Sequence, residues 1–223
     1  PAGPAEDTGM IISPGRRFIF VHIPKTGGTS MTLALEGRAM KDDILIGDTP
    51  KAKRRKGRLK GVAAAGRLWK HSTLADVNGL ITPDQARQWF VFTLVRNPWD
   101  RMVSYYHWLR DQSFAHPAVA QAKELSFDDF ILHDDTRAAQ QAWPATRYLI
   151  SSDGTDCADA FVRLEHLADD LAPVQAHLGF DLDLPHSNAS ARPRDYRAVY
   201  SDAAAAAIAA DCAPDIEKFG YSF

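Results

Sequence analysis

Apolar residues in this chain cluster in short unbroken runs more than they alternate with polar ones. Phe18 to Ile23 has the length of a buried strand and stops at Pro24 and two glycines. Trp89 to Val95 is the strongest such run, and Ala160 to Glu165 is a third. Runs that are apolar throughout fit strands covered on both faces. Between them stand helix signals. Thr82-Pro83-Asp84-Gln85 offers an N-cap, a proline at the first helical position and a capping-box glutamine, and Asn97-Pro98 starts a second helix the same way. Ser126 begins a short helix, helical sequence after Glu165 ends at Gly179, and Ser201 opens an alanine-rich helix. Asp42 to Ile46 reads as a short strand or helix end, and Gly66 to Thr73 as a strand with a polar end at His71. Strands alternating with helices predict an α/β fold whose central parallel sheet is flanked by helices, with ligands at the carboxyl ends of the strands.

Composition narrows this picture. A chain of 223 residues supports one sizeable core. A net charge of −2 argues against a nucleic-acid binder. Cys157 and Cys212 lack metal-ligand spacing and point to a reduced compartment rather than a disulfide scaffold. No run approaches the roughly 20 apolar residues that cross a bilayer, and no signal-peptide core is visible. Residues 1–16 read as an N-terminal tail, with Met10 a candidate start, and 17–223 as a single domain. Lys51 to Lys60 carries seven basic residues in ten, which predicts an exposed, mobile loop over about 47–62. Two readings of it stand level: a solvated surface, or an attractor of an anionic substrate such as a polysaccharide or a phosphorylated or uronic sugar.

The candidate chemistry lies where the first run ends. In Ile23-Pro24-Lys25-Thr26-Gly27-Gly28-Thr29-Ser30, the glycines allow close backbone approach. The helix start then gathers N–H groups, two hydroxyls and the Lys25 ammonium at one point, as a phosphate site requires. A Walker A loop places its lysine after the glycines, and here Lys25 precedes them. The second strong run ends at Arg96, and Ser104 follows eight residues on. An arginine fork with a hydroxyl suits a terminal phosphate.

The first motif resembles the 5'-phosphosulfate loop of the sulfotransferases that use 3'-phosphoadenosine 5'-phosphosulfate (PAPS). Val95-Arg96-Asn97-Pro98-Trp99-Asp100-Arg101-Met102-Val103-Ser104 resembles their 3'-phosphate motif. Weaker landmarks, among them Ser126 to Phe130, Arg147 to Leu149, Val162 to Glu165, Leu184 to Ser190 and Asp215 to Tyr221, are similar to the carbohydrate branch. The resemblance covers roughly residue 17 to the end, with the basic loop and the N-terminus outside it. It implies a three-layer P-loop-like fold, PAPS as sulfuryl donor without a metal, and a hydroxyl acceptor on a carbohydrate or glycoconjugate. Lys25, Thr26, Gly27, Gly28, Thr29 and Ser30 would hold the phosphosulfate, with Lys25 also catalytic, and Arg96 and Ser104 the 3'-phosphate.

His71 resembles in position the catalytic histidine of heparan 2-O-type members, which carry two histidines one residue apart where this chain has one. Glu165, Glu36 and His107 are the rival bases, and His22 reads as structural. His186, Asn188, Ser190 and Arg192 are candidate lid or acceptor contacts. Trp69, Trp99, Tyr105 and Trp108 are candidates for stacking, though such residues more often build a core. Animal relatives are Golgi-anchored, so the expectation is a bacterial cytoplasmic enzyme, with a trimmed luminal domain as the alternative. Two other functions stay open: a P-loop-like phosphotransferase, and a non-catalytic module for anionic glycans.

Overall fold

The computed structural model describes residues 8–184 and 195–223. They form two compact units, the first of residues 8–95 and 145–184, the second of 96–144 and 195–223.

The first unit is built on a five-stranded sheet in the order β3-β1-β2-β4-β5. Its first part runs β1 (Gly9–Ser13), β2 (Phe18–Val21), α1 (Gly28–Gly37), β3 (Ile44–Gly47), α2 (Pro50–Arg55), α3 (Pro83–Gln88) and β4 (Phe90–Val95). β2 and β4 pair in parallel, with Val21 opposite Thr93, so the ends of the two strongest apolar runs lie side by side. Thr93 is fully buried, and its hydroxyl donates to the Val21 carbonyl at 2.7 Å. A polar group in mid-sheet thereby fixes the point where β2 gives way to its loop.

Residues 9–13 were expected within a tail and instead form β1, antiparallel to both β2 and β3. All five are buried, and the Thr32 hydroxyl lies 3.2 Å from both the N–H and the C=O of Gly9. Met10, Ile11 and Ile12 supply a further apolar run too short to stand out beside the polar residues around it. The sheet is therefore mixed at this edge and parallel through β2, β4 and β5.

The basic segment is a second correction, because residues 50–59 are helical rather than a mobile loop. Thr49 caps α2 by accepting from Ala52 N–H at 2.9 Å, and its hydroxyl donates to buried Glu36 at 2.6 Å. Arg55 donates to the carbonyls of Met40 (2.8 Å) and Asp43 (3.1 Å), Arg58 to that of Lys41 and Lys51 to that of Glu36. These carbonyls draw the cations apart, which relieves the repulsion that charge density alone implies. Residues 66–73, expected as a strand, are a series of turns in which the Ser72 hydroxyl bonds the carbonyls of Arg67 and Trp69.

The chain next forms the helical unit: α4 (Pro98–Arg110), α5 (Pro117–Glu124), α6 (Phe127–Leu132) and α7 (Asp134–Ala142). It then returns to the first for β5 (Ala160–Arg163), α8 (Leu167–Asp170) and α9 (Ala172–Leu178), and α10 (Asp202–Asp211) and α11 (Ala213–Phe219) complete the second. Each unit has its own core. Phe18, Phe20, Phe92, Met31 and Val162 lie at the centre of the first, and Trp99, Met102, Tyr106, Phe130 and Ile208 at that of the second. Burial of each such side chain contributes about 2–3 kcal/mol.

Candidate active site

β2 ends at Val21, and the chain turns through buried Ile23 and half-buried Pro24 into two left-handed positions that flank Thr26. Lys25 has φ of +64° and Gly27 of +85°, with Thr26 between them. Glycine adopts that conformation without strain, whereas for lysine it costs about 1–2 kcal/mol. Thr26 holds the turn, since its buried hydroxyl donates to the Ile23 carbonyl at 2.9 Å. What Thr26 adds to a ligand site is thus its backbone.

Gly28 opens α1, and its lack of a side chain is required by contact. A Cβ there would lie 1.8 Å from Cδ2 and 2.2 Å from Nε2 of His22. Among the described residues no side chain caps α1, its first turn holds no carboxylate, and Thr29 and Ser30 are half-buried in it. Uncapped N–H groups at the positive end of a helix dipole, two hydroxyls and Lys25 suit an anion, so the residues present fit a phosphosulfate group.

The 66–73 turns bring a second set of groups to the loop. His71 is buried, and its ring lies 4.6 Å from that of His22, centroid to centroid, at 31°. His71 Nδ1 is 3.2 Å from the His22 carbonyl oxygen. A carbonyl only accepts, so Nδ1 carries the proton and the basic lone pair of neutral His71 is on Nε2. Trp69 sets its ring edge-on to His71 at 4.9 Å while remaining 40% exposed, and the Arg67 guanidinium lies over the indole. Lys70 pairs with Asp48 at 3.1 Å. Burial holds the His22 imidazole well below its ordinary pKa, reinforced by positive charge on His71, Lys70 and Lys25, and it stays neutral.

The rival bases fall differently. Glu36 is buried and accepts from Thr49, which makes it part of the packing of α1 on α2. Glu165 is exposed on a short 3₁₀ turn after β5, and His107 is on α4 in the helical unit.

In that unit Arg96 precedes α4, and its Nε and Nη2 both donate to Asp100 Oδ2, at 2.9 and 2.7 Å. Ser104 is buried two turns along α4. Asn97 caps α4 through Trp99 N–H at 3.1 Å and donates to the Ser222 carbonyl at 2.9 Å. Trp99 is 4% exposed with its indole N–H on the Ala205 carbonyl, so it is a core residue rather than a stacking platform. The role of Asp100 was missed in the sequence, although an arginine and an aspartate four residues apart on a helix start is a pairing signal. His186, Asn188, Ser190 and Arg192 lie outside the described residues.

Comparison with known proteins identifies the class. A model described as the sulfotransferase family matches residues 8–196, through both units, and the chain belongs to that family. It is a sulfotransferase, an enzyme whose donor is PAPS, and this decides against the phosphotransferase and the non-catalytic module. Among solved structures the chain resembles mouse sulfotransferase SULT7A1 complexed with PAP, at 16% identity and a TM-score of 0.43, over 95% of this chain and 84% of that one. No curated protein matches. No helix among the described residues is long and apolar enough to cross a membrane.

Proposed function

We propose that this chain transfers the sulfuryl group of PAPS to a carbohydrate hydroxyl with His71 as base, as a bacterial cytoplasmic relative of the heparan 2-O branch. PAPS supplies an activated sulfuryl group on its 5'-phosphate. Lys25 and the N–H groups from Gly27 to Ser30 hold that phosphosulfate, while Arg96 and Ser104 bind the 3'-phosphate. His71 Nε2 takes the acceptor proton as the oxygen–sulfur bond forms and the sulfur–oxygen bond to the 5'-phosphate breaks. Lys25 then balances the charge left on the phosphate.

The observation that carries this reading is the bond of His71 Nδ1 to the His22 carbonyl beside the loop, which puts the basic nitrogen on the opposite edge of the ring. A sugar acceptor is supported by the exposed indole of Trp69 next to His71 and by exposed Lys53, Arg54 and Lys56 on the basic helix with Lys60 just after it. An aromatic face and a cationic flank suit an anionic saccharide.

The test is transfer of labelled sulfate from PAPS to a panel of polysaccharides, small glycosides and non-sugar alcohols. The expected result is labelling of a saccharide, abolished in His71→Gln with nucleotide binding intact. Labelling confined to non-sugar alcohols, or an active His71→Gln, overturns the reading.

A further inference from the structure

We propose that Asp100 is a positioning residue, which holds the Arg96 guanidinium in the orientation that selects a nucleotide carrying a 3'-phosphate over one without it. The inference rests on the reading of Arg96 as the 3'-phosphate ligand.

An arginine side chain turns about several bonds, and taking a ligand costs it that freedom unless something has set it beforehand. Asp100 sets Arg96. Nε and Nη2 of the guanidinium both donate to one oxygen, Asp100 Oδ2, at 2.9 and 2.7 Å. Two bonds from one edge of a planar group fix its rotation as well as its place. With the Nε edge so engaged, the direction of the opposite edge, Nη1 with the second hydrogen of Nη2, is determined too. The contact is also shielded from water, the side chains of Arg96 and Asp100 being 9% and 17% exposed.

Asp100 can serve as an anchor because the residues before it are held. Asn97 donates to the Ser222 carbonyl, the Trp99 indole to that of Ala205, and the Tyr200 hydroxyl to that of Trp99, each at 2.9 Å. Buried Ser104 follows one turn after Asp100 on the same face of α4, so the hydroxyl assigned to this phosphate stands on the same helix.

Helix formation alone does not account for the pair. A carboxylate in the first turn favours α4 through its dipole, but that effect requires no bond to Arg96. A carboxylate beside a phosphate site also repels the ligand, so charge alone would favour asparagine at position 100. An aspartate there is useful only if the orientation it imposes outweighs that repulsion. The sign of the effect on affinity therefore decides between the two.

Calorimetric titration of the full chain with 3'-phosphoadenosine 5'-phosphate (PAP) and with adenosine 5'-phosphate, which lacks the 3'-phosphate, reads the effect as a ratio. Asp100→Asn keeps the shape and removes the charge that holds Arg96. It is expected to weaken PAP binding about 10-fold and leave adenosine 5'-phosphate unmoved, with Asp100→Glu recovering part of the loss. In an Arg96→Ala background the same substitution should change neither affinity. PAP bound equally or more tightly by Asp100→Asn, as loss of a repelling carboxylate would give, overturns the proposal. So does an equal loss for both nucleotides, the mark of a structural role. In the wild type, where no variant has to fold, the Arg96 Nε–H resonance should remain hydrogen-bonded when PAP binds, and its release to solvent overturns the proposal as well. An Arg96→Ala variant with an unmoved affinity ratio removes the 3'-phosphate reading itself, whereas a ratio moved by Arg96→Ala but not by Asp100→Asn removes only the role of Asp100.

Discussion

The ring of His22 fills the space a Cβ on residue 28 would need, 1.8 Å from its Cδ2. Gly28→Ala therefore forces the ring off its stack on His71 or pushes α1 away from β2. The expected loss is about 1–3 kcal/mol in urea unfolding. His22→Ala should cancel part of it, because the same atoms are then missing, and strictly additive losses would rule out the clash.

Burial of His22 also makes the fold sensitive to acid. Its folded pKa lies well below the ordinary value of about 6.5, so below that pH the unfolded chain binds a proton that the folded chain does not. Its contribution is full above about 6.5 and falls by about 1.4 kcal/mol per pH unit beneath it. Stability measured from pH 7.5 to 5.5 should show this slope and lose it in His22→Phe. Equal slopes in the two proteins would contradict the assignment.

In the helical unit, buried Asp211 accepts from Arg137 Nε at 2.8 Å and Nη2 at 3.0 Å, and from Gln141 at 2.7 Å. The Arg137 bonds chiefly, with that of Gln141, hold its carboxyl below the usual range. The pair stabilises the fold above about pH 4 and is lost as pH falls further. Asp211→Ala should cost about 2–3 kcal/mol at neutral pH, less than for a fully buried pair because Arg137 faces solvent. Calorimetric unfolding checks this.

Two kinds of cation share the basic helix. Arg55 braces the carbonyls of Met40 and Asp43, so Arg55→Ala should lower Tm by a few degrees. Exposed Lys53, Arg54, Lys56 and Lys60 should reverse to glutamate with little change in Tm. A rise in KM for an anionic saccharide, with kcat held, is the expected kinetic result. Unchanged KM would make this face a solvated surface.

Local signals carried much of the fold. Thr82 and Gln85 form the capping box, Asn97 caps α4, and Phe90–Val95 is the central buried strand, each set by residues close together in the chain. Met10 to Ile12 were harder to read because their partners, Phe20 and Ile46, are supplied by the folded sheet. The basic helix was misjudged because the carbonyls of residues 36–43 that take up its charge are brought to it by tertiary structure. The glycine loop was legible from Lys25 to Ser30, while the contact of His71 with His22, 49 residues apart, was not.

Lys25→Ala separates the two halves of nucleotide recognition. On the roles proposed for them, it should abolish transfer, since the charge on the leaving phosphate goes unbalanced, and leave much of the affinity assigned to Arg96. Equal loss of both would show that Lys25 acts in binding alone.

Calorimetric titration with PAP tests the central claim most directly. The account predicts binding without added metal, lost in Arg96→Ala, and weaker binding of ATP with or without magnesium. Preference for magnesium-ATP, or PAP affinity unmoved in Arg96→Ala, would contradict it.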